Sequence, residues 1–319
     1  MYRGAAGTRS VVAAVSVMLA AIFSAQIALA REHHPPAPEL ISEQLIGPYV
    51  ARVYRDTAGC GGEFLEIARG LKVVYSTRGH CQQTFRVGAL ESSDVDDKFL
   101  APGSDVTGDG SPNLVVSAYT GGANCCLSYY VFDIGTKFRL VDTLHLEQDE
   151  HAAPHLVRLE DGHGLQVITH DWTFSGWHAS PPQSPAPLVI LHYRDGAFHV
   201  DEDLMREPAM SLGKLQAEAS PVRWRLLTGN ADGAASSWPS AKVSPDLWES
   251  MLSLIYAGHE DLAWKYLDYA WPGDVRGKEK FAADFRKQLA LSPYWKEISA
   301  MQPEPEAKPS SISAESASK

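Results

Sequence analysis

The strongest constraint on the fold is a series of short apolar segments with a two-residue period that begins at Tyr49. YVARVY, EFLEIA, LKVVYS and QTFRV follow one another with glycine-bearing breaks between them. Successive side chains of a strand point to opposite faces, so alternation at this length reads as half-buried β structure. Short connections between such strands give an antiparallel meander. NLVVSAY, CCLSYYVFDI and FRLVDTLHL extend the pattern. LVRLEDGHGLQVITHDWTF and PLVILHYRDGAFHVD repeat it, with Asp195-Gly196 suited to a tight primed turn. The β region ends near Asp201.

Beyond residue 201 the period changes. LGKLQAEA predicts one short helix inside a connector at 202–243, and TGNADGAASS reads as loop. Ser244 is placed to cap a helix that Pro245 begins, with Leu247, Met251, Leu254 and Ile255 as its apolar stripe and Gly258 as its stop. EDLAWKYLDYAW predicts a second helix, and Phe281, Phe285 and Leu289 at i, i+4 and i+8 mark a third. The fold class is therefore α+β. An antiparallel β domain at 48–201, a sandwich or a partial propeller, precedes a small helical domain at 244–301. Residues 302–319 hold no bulky apolar side chain beyond Ile312 and read as a disordered tail.

The N-terminus fixes the compartment. Arg3 and Arg9 precede the apolar run Val11–Ala30, which closes on Ala28-Leu29-Ala30, a small-x-small site suited to signal peptidase. Residues 1–30 are expected to be a cleaved signal, giving a periplasmic or secreted protein with no membrane span after cleavage. Residues 31–47, opening with His33-His34-Pro35-Pro36, read as a mobile leading segment. The formal charge of -11 rises in magnitude on cleavage, because the signal carries two arginines and no acids. Nucleic acid is thereby excluded as a partner class.

An exported chain with four cysteines, Cys60, Cys81, Cys125 and Cys126, implies two disulfides. Pairing Cys60 with Cys81 closes a hairpin loop, worth about 3 kcal/mol on the chain-entropy estimate. It leaves Cys125 and Cys126 as a vicinal bridge, strained because neighbouring Cα atoms sit about 3.8 Å apart. The alternative crosses the two sets, since adjacent residues of a strand face opposite sides. Both connectivities are open.

Two segments carry chemistry. In DVTGDGSPNLVV, Asp105, Thr107 and Asp109 alternate, Gly110 permits a reversal, and the Ser111 carbonyl and Asn113 follow, so five oxygens can converge on one cation. In HDWTFSGWHASPP, His170, Asp171, Trp172, Trp177 and His178 crowd one segment leaving a strand. His170, Asp171 and His178 are its candidate catalytic groups, and its tryptophans are candidates for stacking on a sugar. His151 and His155 have metal-ligand spacing, but Pro154 breaks the helix that spacing requires. The sequence has no serine or cysteine nucleophile motif, paired-carboxylate motif or phosphate-cradling glycine loop.

Residues 105–116 resemble the calcium loop and first strand of an FG-GAP or VCBS-type repeat, as in integrin-like β-propeller blades. A degenerate copy near 158–168 follows 53 positions later, with Arg158 and Gly162 where the first has Asp105 and Asp109. The resemblance implies structural calcium held by Asp105, Thr107, Asp109, Ser111 and Asn113. Thr107 and Asn113 depart from the family's acids, which weakens the site it implies. The helix pair at 245–271 resembles a single tetratricopeptide hairpin. The expectation is an exported, non-catalytic protein with a calcium-stabilised β module that binds an envelope protein or a glycan. A secreted hydrolase using His170-Asp171 and Trp177-His178 is the alternative.

Overall fold

The computed structural model describes residues 37–57, 59–88, 101–122, 125–147, 155–157, 164–228, 236–238 and 241–302. The proposed signal, the histidines at 33–34, His151, the central turn of the degenerate loop and the tail beyond 302 lie outside them, as do the side chains of Cys125 and His155.

The segment Asn113–Ala118 organises the β structure, because every one of its six side chains is buried. Continuous rather than alternating burial means that its sheet is covered on both faces. Leu114, Val116 and Ala118 face one apolar core, and Val115 faces a second. Three four-stranded antiparallel sheets account for this, each a meander of consecutive strands. Sheet 1 contains β1 (Glu39–Ile46), β2 (Tyr49–Arg55), β3 (Glu63–Arg69) and β4 (Lys72–Arg78). Sheet 2 contains β5 (Thr84–Val87), β6 (Asn113–Gly122), β7 (Cys125–Asp133) and β8 (Arg139–Glu147). Sheet 3 contains β9 (His155–Val157), β10 (Gln166–His170), β11 (Leu188–Arg194) and β12 (Ala197–Val200). The fold class is α+β, as the periodicity predicts.

Sheet 2 is the middle layer. Tyr49, Ala51, Val53, Leu65 and Ile67 of sheet 1 meet Phe85, Leu114, Val116 and Phe132 of sheet 2 in the smaller core. Its opposite face, with Val115, Tyr129, Val131 and Leu144, meets Val167, Val189 and Leu191 of sheet 3. Each seam is fastened by a carboxylate that accepts a backbone N–H. Glu63 Oε2 on β3 accepts from Phe85 N at 2.9 Å, and Asp142 Oδ2 on β8 accepts from Phe198 N at 2.9 Å. Asp195 and Gly196 take φ of 51° and 94°, the two positive values that the primed turn between β11 and β12 requires.

The strand β1 corrects the sequence reading, which placed Glu39–Ile46 in a mobile leading segment. Most of its side chains are exposed, so alternation is weak; pairing with β2 along Glu39–Ile46 supplies the order instead. The connector reading at 202–243 is also corrected. Besides the single turn α1 (Glu202–Met205), it holds α2 (Leu212–Thr228), which runs through Pro221 and buries Leu215, Ala219, Val222 and Leu226. Four buried apolar contacts at helical spacing hold the helix across the proline. The ribbon β13 (Ser236–Trp238) and β14 (Ala241–Val243) follows.

The remaining helices are α3 (Pro245–Tyr256), α4 (Glu260–Ala270), α5 (Lys278–Leu289) and α6 (Trp295–Ala300). Ser244 caps α3, accepting from Asp246 N, with Pro245 in the first turn. These helices do not own a separate core. Trp248, Met251, Tyr266, Phe281 and Phe285 belong to the same cluster as Val167, Val189 and Leu191 of sheet 3. Among the described residues no helix is long and apolar enough to cross a membrane. Cys60 is bonded to Cys81, with Cα atoms 5.2 Å apart, which excludes the crossed connectivity. Cys126 is also disulfide-bonded.

Candidate functional site

His170 closes β10, and the chain then leaves sheet 3 to cross the helices. Asp171 follows at once. Its N–H donates to Pro187 O at 2.9 Å, which fixes the backbone at the point of departure. The carboxylate is 2% exposed and accepts from four donors. Thr173 N and Thr173 Oγ1 donate to Oδ1 at 2.8 and 2.5 Å. The hydroxyls of Tyr256 on α3 and Ser292 in the α5–α6 turn donate to Oδ2. Burial, and then the adjacent Asp171 charge, push the Tyr256 hydroxyl far above its ordinary pKa, so it remains a donor. A buried carboxylate is tolerated when its lone pairs are satisfied, and here they tie sheet 3 to two helical segments.

The tryptophans of this segment part company. Trp177 turns into the core, edge-on to Trp248 at 5.3 Å and to Phe174 at 5.1 Å. His178 stays at the surface with φ 54°, edge-on to Trp177 at 4.8 Å. Partial burial lowers its pKa, against the opposing charge of Asp284 and with that of Lys280. Trp172 instead borders a cleft of about 260 Å³ with His145, His170, Asp171, Thr173, Pro293 and Tyr294. His170 and Trp172 rings are 6.2 Å apart. His145 comes from β8, where its Nδ1 lies 3.2 Å from Ser128 Oγ. The Trp172 indole N–H is shut from solvent and has no hydrogen-bond partner among the described residues. The predicted cluster is thus divided: His170, Asp171 and Trp172 reach the cleft, while Trp177 and His178 pack against the helices.

No family model, curated protein or solved structure matches this chain. Its chemistry therefore rests on its own geometry. Sequence reading missed Tyr256 and Ser292, which lie 85 and 121 positions from Asp171. No local spacing signals a contact of that range. It also missed His145, Pro293 and Tyr294, which the sheet 2 to sheet 3 seam and the α5–α6 turn bring to the cleft.

The loop at 105–113 is a second site. Asp105 Oδ1 accepts from Gly108 N at 2.6 Å and Oδ2 from Gly110 N at 3.0 Å; Asp109 Oδ1 accepts from Ser111 N at 2.8 Å. Burial opposes ionisation of Asp109, but hydrogen bonds from Ser111 and Thr107 and the charge of Arg139 leave its pKa below the ordinary value. Asn113 is 1% exposed, and its Oδ1 accepts from Val106 N, Thr107 N and Thr107 Oγ1 at 2.8, 3.0 and 3.2 Å. Three donors occupy that oxygen, so Asn113 does not fit the ligand role the spacing suggests. Asp105, Asp109 and the Ser111 carbonyl do fit by chemistry, being hard oxygens. Among the described residues no group of three or more His, Cys, Asp or Glu could hold a metal ion. The loop is also a joint. Val106 O accepts from Leu165 N at 2.8 Å, and an added Cβ at Gly164 would lie 2.7 Å from Thr107 C and O. The remnant of the degenerate copy thus packs directly against the first loop.

Proposed function

We propose that this chain is an exported, non-catalytic binding protein whose cleft beside His170 and Trp172 takes a glycan. The observation that carries the reading is the state of Asp171. A general base needs an oxygen within reach of the proton it abstracts. Both Asp171 oxygens are engaged by protein donors in a nearly solvent-free position, so the carboxylate serves the fold. What remains at the cleft suits recognition. Trp172 and Tyr294 offer aromatic surface for the apolar face of a sugar ring, and His145, His170 and Thr173 offer polar groups.

The reading includes calcium at the 105–113 loop, held by Asp105 and Asp109 with Thr107 and the Ser111 carbonyl, and stabilising the joint between sheets 2 and 3. Two formal carboxylates make it a weak site. The test is calorimetric titration with cellohexaose and chitohexaose. Binding of at least one, weakened tenfold or more by Trp172→Ala, is expected. Absence of binding to both, or binding indifferent to Trp172, refutes the glycan reading.

A further inference from the structure

A second recessed surface, sharing no residue with the cleft beside Trp172, crosses the helical part of the molecule. Two hollows of about 170 and 320 Å³ meet along α3 and share Glu207, Ser253 and Ala257, so they form one groove. The smaller end is apolar, bounded by Ile190, Met205, Leu188 and Leu204. Leu188 and Leu204 are 46% and 42% exposed, which is costly for large aliphatic side chains lying together in a recess. The larger end has an apolar floor of Met210, Leu254 and Tyr266. Its rim carries three carboxylates from separate elements: Glu207 after α1, Glu218 on α2 and Glu249 on α3.

No Lys or Arg lines either hollow. Lys214 reaches Glu218 only as an exposed pair at 3.7 Å, a contact that a competing cation displaces at little cost. His259 is occupied otherwise, its Nε2 donating to Glu207 O at 2.7 Å. At the floor, burial first raises the pKa of the Tyr266 hydroxyl, a hydrogen bond with Ser250 opposes it, and the charges of Glu218 and Asp246 add to the rise against that of Arg225. An apolar trough that runs into an acidic one complements a ligand with bulky aliphatic groups beside positive charge.

We propose that this groove docks a segment of a partner protein in which large apolar residues adjoin Lys or Arg. Apolar anchors supply affinity in the smaller hollow, and the three glutamates select the basic side chains and steer their approach. The site is independent of the glycan reading.

The experiment uses the full mature chain and fluorescently labelled octapeptides of sequence pattern Leu-Leu-Lys-Gly-Arg-Leu-Lys-Gly, measured by anisotropy in 150 mM salt. One counterpart carries Glu in place of Lys and Arg, and another Ser in place of Leu. The basic apolar peptide is expected to bind at least tenfold more tightly than either. Glu207→Gln, Glu218→Gln and Glu249→Gln combined should weaken it tenfold or more. Glu39→Gln, Glu43→Gln and Glu279→Gln, which remove the same charge elsewhere, should change it less than twofold. Leu204→Ser, at an exposed position that leaves the fold intact, should also weaken it. Equal losses in the two triple variants would mean diffuse attraction to an acidic chain and would overturn the proposal. So would indifference to Leu204→Ser, or no binding of the basic peptide at 100 μM.

Discussion

Replacing Asp171 by alanine removes the acceptor shared by Thr173, Tyr256 and Ser292. The cost follows from what each donor can do next. Thr173 is half-buried and reaches water, so its two bonds are largely replaced. Tyr256 and Ser292 are 3% and 7% exposed, and they retain a mutual contact at 3.3 Å, so they partly satisfy each other. The two charge-assisted bonds are worth about 1.5–3 kcal/mol each, and the mutual contact and the removal of a buried charge offset part of that loss, which leaves about 3–4 kcal/mol. At about 2–4 °C per kcal/mol for a chain of this size, the melting temperature should fall by about 6–16 °C. Asp171→Asn keeps one acceptor oxygen and should cost about half as much. Tyr256→Phe alone should cost about 1–2 kcal/mol, and in combination with Asp171→Ala the two losses should not add, with a coupling above 0.5 kcal/mol. Differential scanning fluorimetry with urea unfolding measures all four chains. A shift under 2 °C for Asp171→Ala would refute the argument, because the carboxylate would then be free of structural duty.

Three further perturbations test other joints. Gly164→Ala places a methyl group against Thr107 backbone at φ +85° and should lower stability by about 3 kcal/mol; Gly196→Ala, at φ +94° with nothing within 4 Å, should cost about 1 kcal/mol, both read from urea midpoints. His178 has a folded-state pKa below its ordinary 6.5, so the unfolded chain takes up the proton first and stability falls as pH drops through 6.5 until the folded-state value is passed. His178→Asn, which keeps the positive φ accessible, should make the melting temperature less steep between pH 7 and pH 5; an unchanged slope contradicts the assigned cause. Calcium at ten times a Kd of about 1 mM should add about 1.4 kcal/mol, or some 3–6 °C, and Asp105→Asn with Asp109→Asn should abolish the shift; no response to calcium or chelator removes the ion from the account.

The β architecture is legible in the sequence because half-buried strands keep their two-residue period. YVARVY and EFLEIA become β2 and β3, with Ala51, Val53, Leu65 and Ile67 turned inward. NLVVSA is legible as a strand of the same series, but its cover on both faces is not, because Asn113 and Ser117 are buried only once sheets 1 and 3 pack on either side of it. The β1 strand escapes because backbone pairing, rather than side-chain burial, orders it. The helix through Pro221 escapes because local rules stop at the proline, whereas Val222 and Leu226 beyond it are anchored in a core built by distant segments. The same division governs the candidate site. His170, Asp171 and Trp172 are visible as a cluster, yet the role of Asp171 is decided by Tyr256 and Ser292, whose proximity only the packed molecule creates. At 105–113 the spacing of oxygens is visible, but which of them point inward depends on the amides of Val106 and Thr107.

The most direct test of the claim that this site recognises rather than cleaves is to titrate chitohexaose and cellohexaose into the mature protein calorimetrically and then analyse the recovered sugar by chromatography. Binding with both oligosaccharides recovered intact, and with affinity retained within threefold in folded Asp171→Asn, is the predicted result. Shortened oligosaccharides from the native chain that disappear with Asp171→Asn would contradict it.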